Sequence, residues 1–350
     1  MIELLLQDYK ITIGDHRLPF RAFLSEKNYS KVAVLVDENT KRHCLPMVLE
    51  GLDFTMPPIG IPAGERYKTL DTCKAVWDSM LGLSLDRRSL LVCLGGGVVG
   101  DLGGFCAAVY QRGIDFVQMP TTLLAMADAS IGGKVGVDYL SMKNMIGAFC
   151  DPAAVFIHPV FLKTLPAAEL TSGFAEVFKH ALIADAALWE RLEQLDNLNS
   201  ADWATLLPLS LSVKQHIVAA DPLENGIRKM LNFGHTVGHA VESFALMSER
   251  PLLHGEAVAL GILCESWLSW KILGLPTDSL ERIAHFVRRF YEPFPIRRDD
   301  FPQLLALMKK DKKNERGRIN FTLLPAIGQA VVDQYCEAET IMESLAWAQS

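Results

Sequence analysis

Short, uninterrupted apolar runs separated by helical patterns fill the first half of the chain. Ile2 to Gly14 alternates and predicts strands. Lys31 to Val36 is continuously apolar after its first residue and is closed by D-E-N-T. That is the pattern of a parallel strand covered on both faces. Pro62 to Leu83 predicts a helix with Glu65 and Lys68 in its first turn. Ser89 to Leu94 is a second buried run, followed by G-G-G-V-V-G-D and an apolar helix through Tyr110. Phe116 to Met119 predicts a short strand leading into P-T-T-L-L. D-A-S-I-G-G-K-V-G-V-D and K-N-M-I-G-A-F follow, too broken by glycine to form one helix. From about Pro166 the pattern is mostly helical: Ala167 to Gln194, Leu206 to Ala220, a stretch through Arg228 to Glu242, and a helix opened by His254. Met308 to Arg318 is a charge run before a last strand, I-N-F-T-L-L-P.

A length of 350 residues suggests two domains, and a hydrophobic content of 50% allows a large core. The net charge of -7 argues against nucleic acid as the main partner. Seven scattered cysteines with no C-x-x-C pair fit a reducing cytoplasm rather than a disulfide framework. The first ten residues lack the basic start of a signal peptide, and no apolar run reaches the ~20 residues a membrane span needs.

The polar positions carry the chemistry. Arg228, Asn232, His235, His239 and Glu242 recur at helical spacing, among Met, Leu, Val and Ala. A solvated face would carry mixed Lys and Glu; this one carries groups that bind metals and anions. Two histidines four apart can also be unrelated core residues. A carboxylate on another helix would favour a metal, because an open Zn2+ site takes three His/Glu ligands. Glu176, flanked by Phe174, Ala175, Val177 and Phe178, is the candidate, and His180 one turn on competes with it. Gly95, Gly97 and Gly100 satisfy G-x-G-x-x-G between a strand and a helix, the context in which glycines let backbone approach a pyrophosphate. Asp37 and Asn39 lie just past the first buried strand, where Asp37 serves either a ribose hydroxyl or a helix cap. Thr121 and Thr122 end another strand. Asp128, Lys134, Lys143 and Asn144 lie in the glycine-broken segment, where lysines among apolar neighbours point to an anion.

Taken together, V-D-E-N-T, G-G-G-V-V-G-D, Y-Q-R-G, P-T-T-L-L, D-A-S-I-G-G-K, K-N-M-I-G-A-F, F-A-E-V-F-K, L-N-F-G-H-T-V-G-H-A-V-E, L-H-G-E-A-V and D-K-K resemble the 3-dehydroquinate synthases of the sugar-phosphate cyclase family. The resemblance implies an α/β fold: an N-terminal Rossmann-like NAD-binding domain over residues 1–165, then a mostly α-helical metal- and substrate-binding domain over residues 166–350. It implies Zn2+, with Co2+ as a substitute, held by Glu176, His235 and His254, with His180 outside the set. NAD contacts carry over to Asp37, Asn39, Glu65, Lys68, Gly96, Gly97, Val98, Asp101, Thr121, Thr122, Asp128, Lys134, Lys143 and the turn Phe161, Leu162, Lys163 and Thr164. Substrate contacts carry over to Asp128, Lys134, Lys143, Asn144, Lys179, Lys214, Arg228, Asn232, His239 and Lys312, with Lys313 the alternative in D-K-K. Arg112 would reach the substrate phosphate from the other subunit of a homodimer. Two positions depart from the family pattern: Ala129 and Val135 stand where hydroxyl residues are usual.

The implied reaction belongs to the shikimate pathway and chorismate biosynthesis. It converts 3-deoxy-D-arabino-heptulosonate 7-phosphate to 3-dehydroquinate by transient oxidation, phosphate elimination, reduction, ring opening and aldol closure. Three rivals stand beside it. A sister cyclase such as 2-deoxy-scyllo-inosose synthase would carry Glu where this chain has Asn232. A glycerol-dehydrogenase-like alcohol dehydrogenase would accumulate NADH and release no phosphate. A non-catalytic NAD sensor would not need Glu176, His235 and His254.

Overall fold

The computed structural model describes residues 1–6, 9–50, 52, 55–140, 142–246, 248, 250–309 and 318–350. Lys312 therefore lies outside the described residues. The chain divides into two compact units, Met1–Pro166 with Asp202–Pro208, and Ala167–Ala201 with Leu209–Ser350.

The first unit is built on a seven-stranded sheet. Its strands are β1 (Ile2–Leu6), β2 (Tyr9–Ile13), β3 (Val32–Asp37), β4 (Pro58–Ile61), β5 (Leu90–Gly95), β6 (Asp115–Pro120) and β9 (Ala154–Ile157); β7 (Lys134–Tyr139) and β8 (Met142–Phe149) form a separate antiparallel hairpin. The order is β1-β2-β9-β6-β5-β3-β4, parallel throughout except for β1 against β2. Val34, Leu35, Val36, Leu91, Val92 and Cys93 are fully buried, as expected of parallel strands covered on both faces. The chain steps from β3 outward to β4, then returns to place β5 on the other side of β3. The strand order thus reverses between β3 and β5, and ligands of open α/β sheets bind outside the carboxyl ends at such a point. Leu35 pairs with Cys93, so Asp37 and Gly95 end the two strands at the same level.

The helix Gly97–Val109 leaves β5 through the glycine turn and lies close on the sheet. A Cβ on Gly95 would stand 2.4 Å from the Cβ of Val99. None of the glycines from Gly95 to Gly104 has positive φ, so close approach, not unusual dihedrals, is what this turn requires.

Among its described residues the second unit is mostly helical, with one hairpin, β10 (Asn320–Ala326) with β11 (Gln329–Tyr335). At its centre is the helix His254–Leu273, buried without a break from Ala257 to Ser269. A helix apolar on all sides belongs inside a core. Among the described residues, no helix is long and apolar enough to cross a membrane.

Three helices expected from periodicity are broken. Glu65–Tyr67 forms a short 3-10 turn ahead of a helix that starts only at Leu70, capped by Thr69, so Glu65 and Lys68 precede that helix. The long pattern from Ala167 splits at Asp185, whose side chain caps the helix Ala186–Glu193 by accepting from Leu188 N. The stripe from Arg228 to Glu242 is a 3-10 segment, Ile227–Asn232, then a left-handed Gly234 (φ 80°) and the helix His235–Ala245. Glycine at a left-handed position ends one turn and starts another at little cost.

In the first unit His16 is buried, with Nδ1 2.9 Å from the Nδ1 of His158 and Nε2 without a partner. Burial, then the neighbouring His158, pushes its pKa down to about 4 from 6.5. A depressed imidazole contributes stability that is present above the unfolded pKa and lost as pH falls toward the folded one. The urea midpoint should therefore drop between pH 6.5 and pH 4, and His16→Gln should flatten that drop. An unchanged slope in the variant would exclude His16 as its source.

Candidate active site

The first unit brings the sequence-selected cofactor residues to the carboxyl ends of β3, β5 and β6. Asp37 caps the helix Glu38–His43, with Oδ1 accepting from Thr40 N at 2.8 Å; the cap engages one of its two carboxylate oxygens. Gly96, Gly97 and Val98 open the next helix, Gly96 as its N-cap. The N–H of Thr121 donates to Gly95 O at 2.9 Å, and the methyl of Thr122 lies over Gly96. The turn at Phe161 to Thr164 comes to the same end through Cys44: burial pushes this thiol up to about 11, Asp37 adds to the rise, and a hydrogen bond with Thr164 opposes it. Asn39, Lys163 and Thr164 are exposed, whereas Phe161 and Leu162 are buried.

A second polar cluster links Lys68 to the β7–β8 hairpin. Lys68 Nζ lies 2.6 Å from Asp101 Oδ2 and 2.5 Å from Asn144 Oδ1. Glu65 Oε1 is 4.0 Å from Lys68 Nζ and 3.9 Å from Lys143 Nζ. Burial works against the Lys68 charge, but Asp101 and Glu65 outweigh it and raise its pKa. Asn144 holds a left-handed φ of 51°, its N–H donating to Asp138 Oδ1 at 2.8 Å. Lys134 is exposed and Asp128 half-buried. Gln111 and Arg112 also take positive φ, 51° and 72°, on an exposed turn.

In the second unit three helices each present one side chain to a common point. Glu176 is fully buried on Ala167–Ala184, His235 is the first residue of its helix, and His254 the first of the next. Glu176 Oε1 stands 3.4 Å from His235 Nε2 and 3.6 Å from His254 Nε2. Two ligands of a tetrahedral ion at about 2.1 Å lie about 3.4 Å apart. The same oxygen is buried without a hydrogen-bond partner, while Oε2 accepts from Lys179 Nζ.

The outer contacts aim both imidazoles. His235 Nδ1 is 3.1 Å from Phe233 O, so Nδ1–H donates to the carbonyl and the Nε2 lone pair faces Glu176. Glu242 Oε2 lies 3.5 Å from His254 Nδ1. A carbonyl and a carboxylate behind two imidazoles are the usual supports of metal-ligating histidines. Burial raises the Glu176 pKa, but Lys179 and His235 outweigh it and hold the carboxyl well below its ordinary range. Burial, then Lys179, pushes His235 down to about 4. Burial lowers His254, but Glu176 and Glu242 outweigh it and lift it to about 9. Both carboxylates favour positive charge at this point.

The remaining candidates surround this point or lie apart from it. The His239 ring is 5.2 Å from His235 and 6.1 Å from His254, but His239 is not among the converging three. His180 Nδ1 is hydrogen-bonded to Ser210 Oγ at 2.8 Å. Lys214 and Arg228 are buried, Arg228 Nη1 donating to Pro222 O at 2.5 Å. Asn232 donates to Glu224 Oε1 at 2.8 Å. Asp15, His16 and His158 also cluster, but Asp15 is engaged by Arg17, and the two Nδ1 atoms at 2.9 Å are hydrogen-bonded to each other. Glu265 was not among the sequence candidates. It is a buried acid alone in the apolar run L-C-E-S-W, and that isolation is the signal that would have found it.

Glycines set how near the three helices come. A Cβ on Gly261 would stand 1.9 Å from Gly234 O, and one on Gly255 1.8 Å from Ser172 O. Gly255 N also donates to Ser172 Oγ at 3.0 Å.

The family model described as "3-dehydroquinate synthase N-terminal" matches residues 58–172, and that described as "3-dehydroquinate synthase C-terminal" matches residues 173–314. The 3-dehydroquinate synthase of Parabacteroides distasonis is 40% identical over 97% of this chain and 98% of its own length. That of Halorhodospira halophila is 40% identical over 98% of each. Among solved structures, 2-epi-5-epi-valiolone synthase from Streptomyces hygroscopicus, with NAD+ and Zn2+ bound, is 28% identical, with a TM-score of 0.87 over 99% of this chain and 98% of that one. A protein from Sinorhizobium meliloti described as "a probable glycerol dehydrogenase" shares the fold at 15% identity, with a TM-score of 0.61 over 97% of this chain and 96% of its own.

The helix spacing is open to a direct test. Gly261→Ala should cost about 3 kcal/mol or more in urea unfolding, because its methyl meets backbone that cannot give way. A loss below about 1 kcal/mol would show that the two helices can separate without consequence.

Proposed function

The chain belongs to the 3-dehydroquinate synthase family, and from that premise we propose which of its own residues serve the conversion of 3-deoxy-D-arabino-heptulosonate 7-phosphate to 3-dehydroquinate and phosphate. The observation that carries the proposal is the orphan Glu176 oxygen, held at ion-ligand spacing from two imidazole nitrogens.

We assign a divalent ion, Zn2+ or Co2+, to Glu176, His235 and His254, and NAD to Asp37, Asn39, Glu65, Lys68, Gly96, Gly97, Val98, Asp101, Thr121, Thr122 and the turn at Phe161 to Thr164. When bound, the ion supplies Lewis acidity at a substrate hydroxyl, and the dinucleotide a hydride acceptor that is returned to its starting state. A related synthase with both groups bound, 28% identical to this chain, supports the pairing.

The chain's own groups do the rest. In the first unit the free N–H groups at the start of the Gly97–Val109 helix receive the pyrophosphate. Asp37 keeps its cap through one oxygen and offers the other to a ribose hydroxyl. Lys134, Lys143 and Asn144 offer charge and hydrogen bonds to an anion. In the second unit Lys179, Lys214, Arg228 and Asn232 bind the substrate's carboxylate and hydroxyls, with Lys312 assigned on sequence alone. His239 relays a proton at the hydroxyl to be oxidised, since imidazole titrates near neutrality. The substrate's own phosphate can take the proton lost on elimination, so no strong protein base is required.

Arg112 we assign to the substrate phosphate of a second copy in a homodimer. The support is backbone strain: two consecutive side-chain-bearing residues keep positive φ on an exposed turn, and such strain persists where function uses it. The place of work is the cytoplasm, in the shikimate pathway. The acidic charge argues against nucleic acid as a partner.

With catalytic NAD+, the purified protein should release phosphate from the heptulosonate phosphate with no net gain in NADH absorbance. Net NADH without phosphate would identify a plain dehydrogenase. His235→Ala should lose both metal and turnover, whereas His239→Ala should keep its metal and lose turnover by about 100-fold or more. Stoichiometric zinc in His235→Ala would remove that residue from the ligand set.

A further inference from the structure

We infer that Glu265 is a positioning residue for the metal centre, acting through backbone rather than through any ligand side chain. The inference rests on Glu176, His235 and His254 being the ligand set. Glu265 is fully buried on the helix His254–Leu273. Its Oε2 accepts from Gly234 N at 2.7 Å, and its Oε1 accepts from Thr236 N and Val237 N, each at 3.1 Å. Those N–H groups begin the helix that His235 opens. Gly234 itself has no capping side chain, so the cap comes from a neighbouring helix, thirty-one residues away in sequence.

Two features make this more than an ordinary cap. First, the chain reverses hand at Gly234, so His235 follows directly on the least constrained dihedrals in its segment. The carboxylate binds the residue before His235 and the two after it, and so fixes the His235 backbone from both sides. Second, Glu265 shares its helix with His254. One rigid element therefore carries one imidazole ligand and grips the backbone of the other. The negative charge also offsets the positive end of the dipole of the helix that His235 opens.

Glu265→Gln keeps the volume but turns an NH2 toward backbone donors; Glu265→Asp keeps the charge and shortens the reach. Each variant, with Leu345→Ala as a destabilised control from the same core, would be stripped of metal and titrated with Co2+ against a chelator. Readouts are the visible Co2+ spectrum, the apparent affinity, and kcat and KM separately. Glu265→Gln should bind Co2+ ~10–100-fold more weakly, the usual range for groups that orient a ligand. Its spectrum should be altered, and kcat should fall more than KM rises. Glu265→Asp should lie between it and the parent, and it carries the comparison if the Gln variant does not fold. Leu345→Ala should lose thermal stability but keep affinity and spectrum. Parental affinity and spectrum in Glu265→Gln, or a loss no greater than that of Leu345→Ala, would overturn the inference. A parent protein that takes up no Co2+ would instead overturn the ligand set on which it stands.

Discussion

A fully buried carboxylate with one oxygen facing two imidazole nitrogens needs a cation beside it. Removing such a charge from water costs several kcal/mol even after the protein relaxes, unless a partner offsets it. Lys179 neutralises one oxygen of Glu176; the other has no hydrogen-bond partner and stands beside His235 and His254, at the spacing of ligands around one ion. Most of what distinguishes the second unit follows from bringing these three groups together. They arise on three separate helices, and side chains as short as Glu and His converge only if those helices approach backbone to backbone. Gly255 against Ser172 and Gly261 against Gly234 permit that approach.

In the proposed function the first unit meets a different demand. A dinucleotide's phosphates need donors that cost nothing to present, and a helix N-terminus at the carboxyl end of a parallel sheet offers them. The glycine turn follows β5 rather than the first β-α unit, unusual by Rossmann order, and the reversal lying between β3 and β5 accounts for that. Asp37 and the glycine turn end neighbouring strands because of that reversal, not because they are near in sequence.

An overall acidic chain still places cations inside its second unit. Lys179, Lys214 and Arg228 are buried there, and buried lysines and arginines are uncommon unless paired or used. Glu242 and Glu265 show the reverse side of that arrangement: neither belongs to the converging three, yet one backs His254 and the other grips the start of the His235 helix.

Much of this was legible in the sequence. Parallel strands announce themselves because both faces must be apolar, and the glycine turn because its context is local. Glu176 could be read as a ligand candidate because a carboxylate set among phenylalanines must be neutralised by a partner or a cation. The helix breaks at Tyr67, Asp185 and Gly234 were not legible, since a periodic pattern continues through a cap or a left-handed residue without changing phase. Nor was the division of labour along the Arg228 to Glu242 stripe, which reads as one face but is two segments. The sequence by itself determined which residue types exist to bind an ion and a dinucleotide. Only the tertiary structure decided which of them meet, because that depends on how closely whole helices pack, and on a carboxylate at position 265 bonding to backbone whose amides look the same in every sequence.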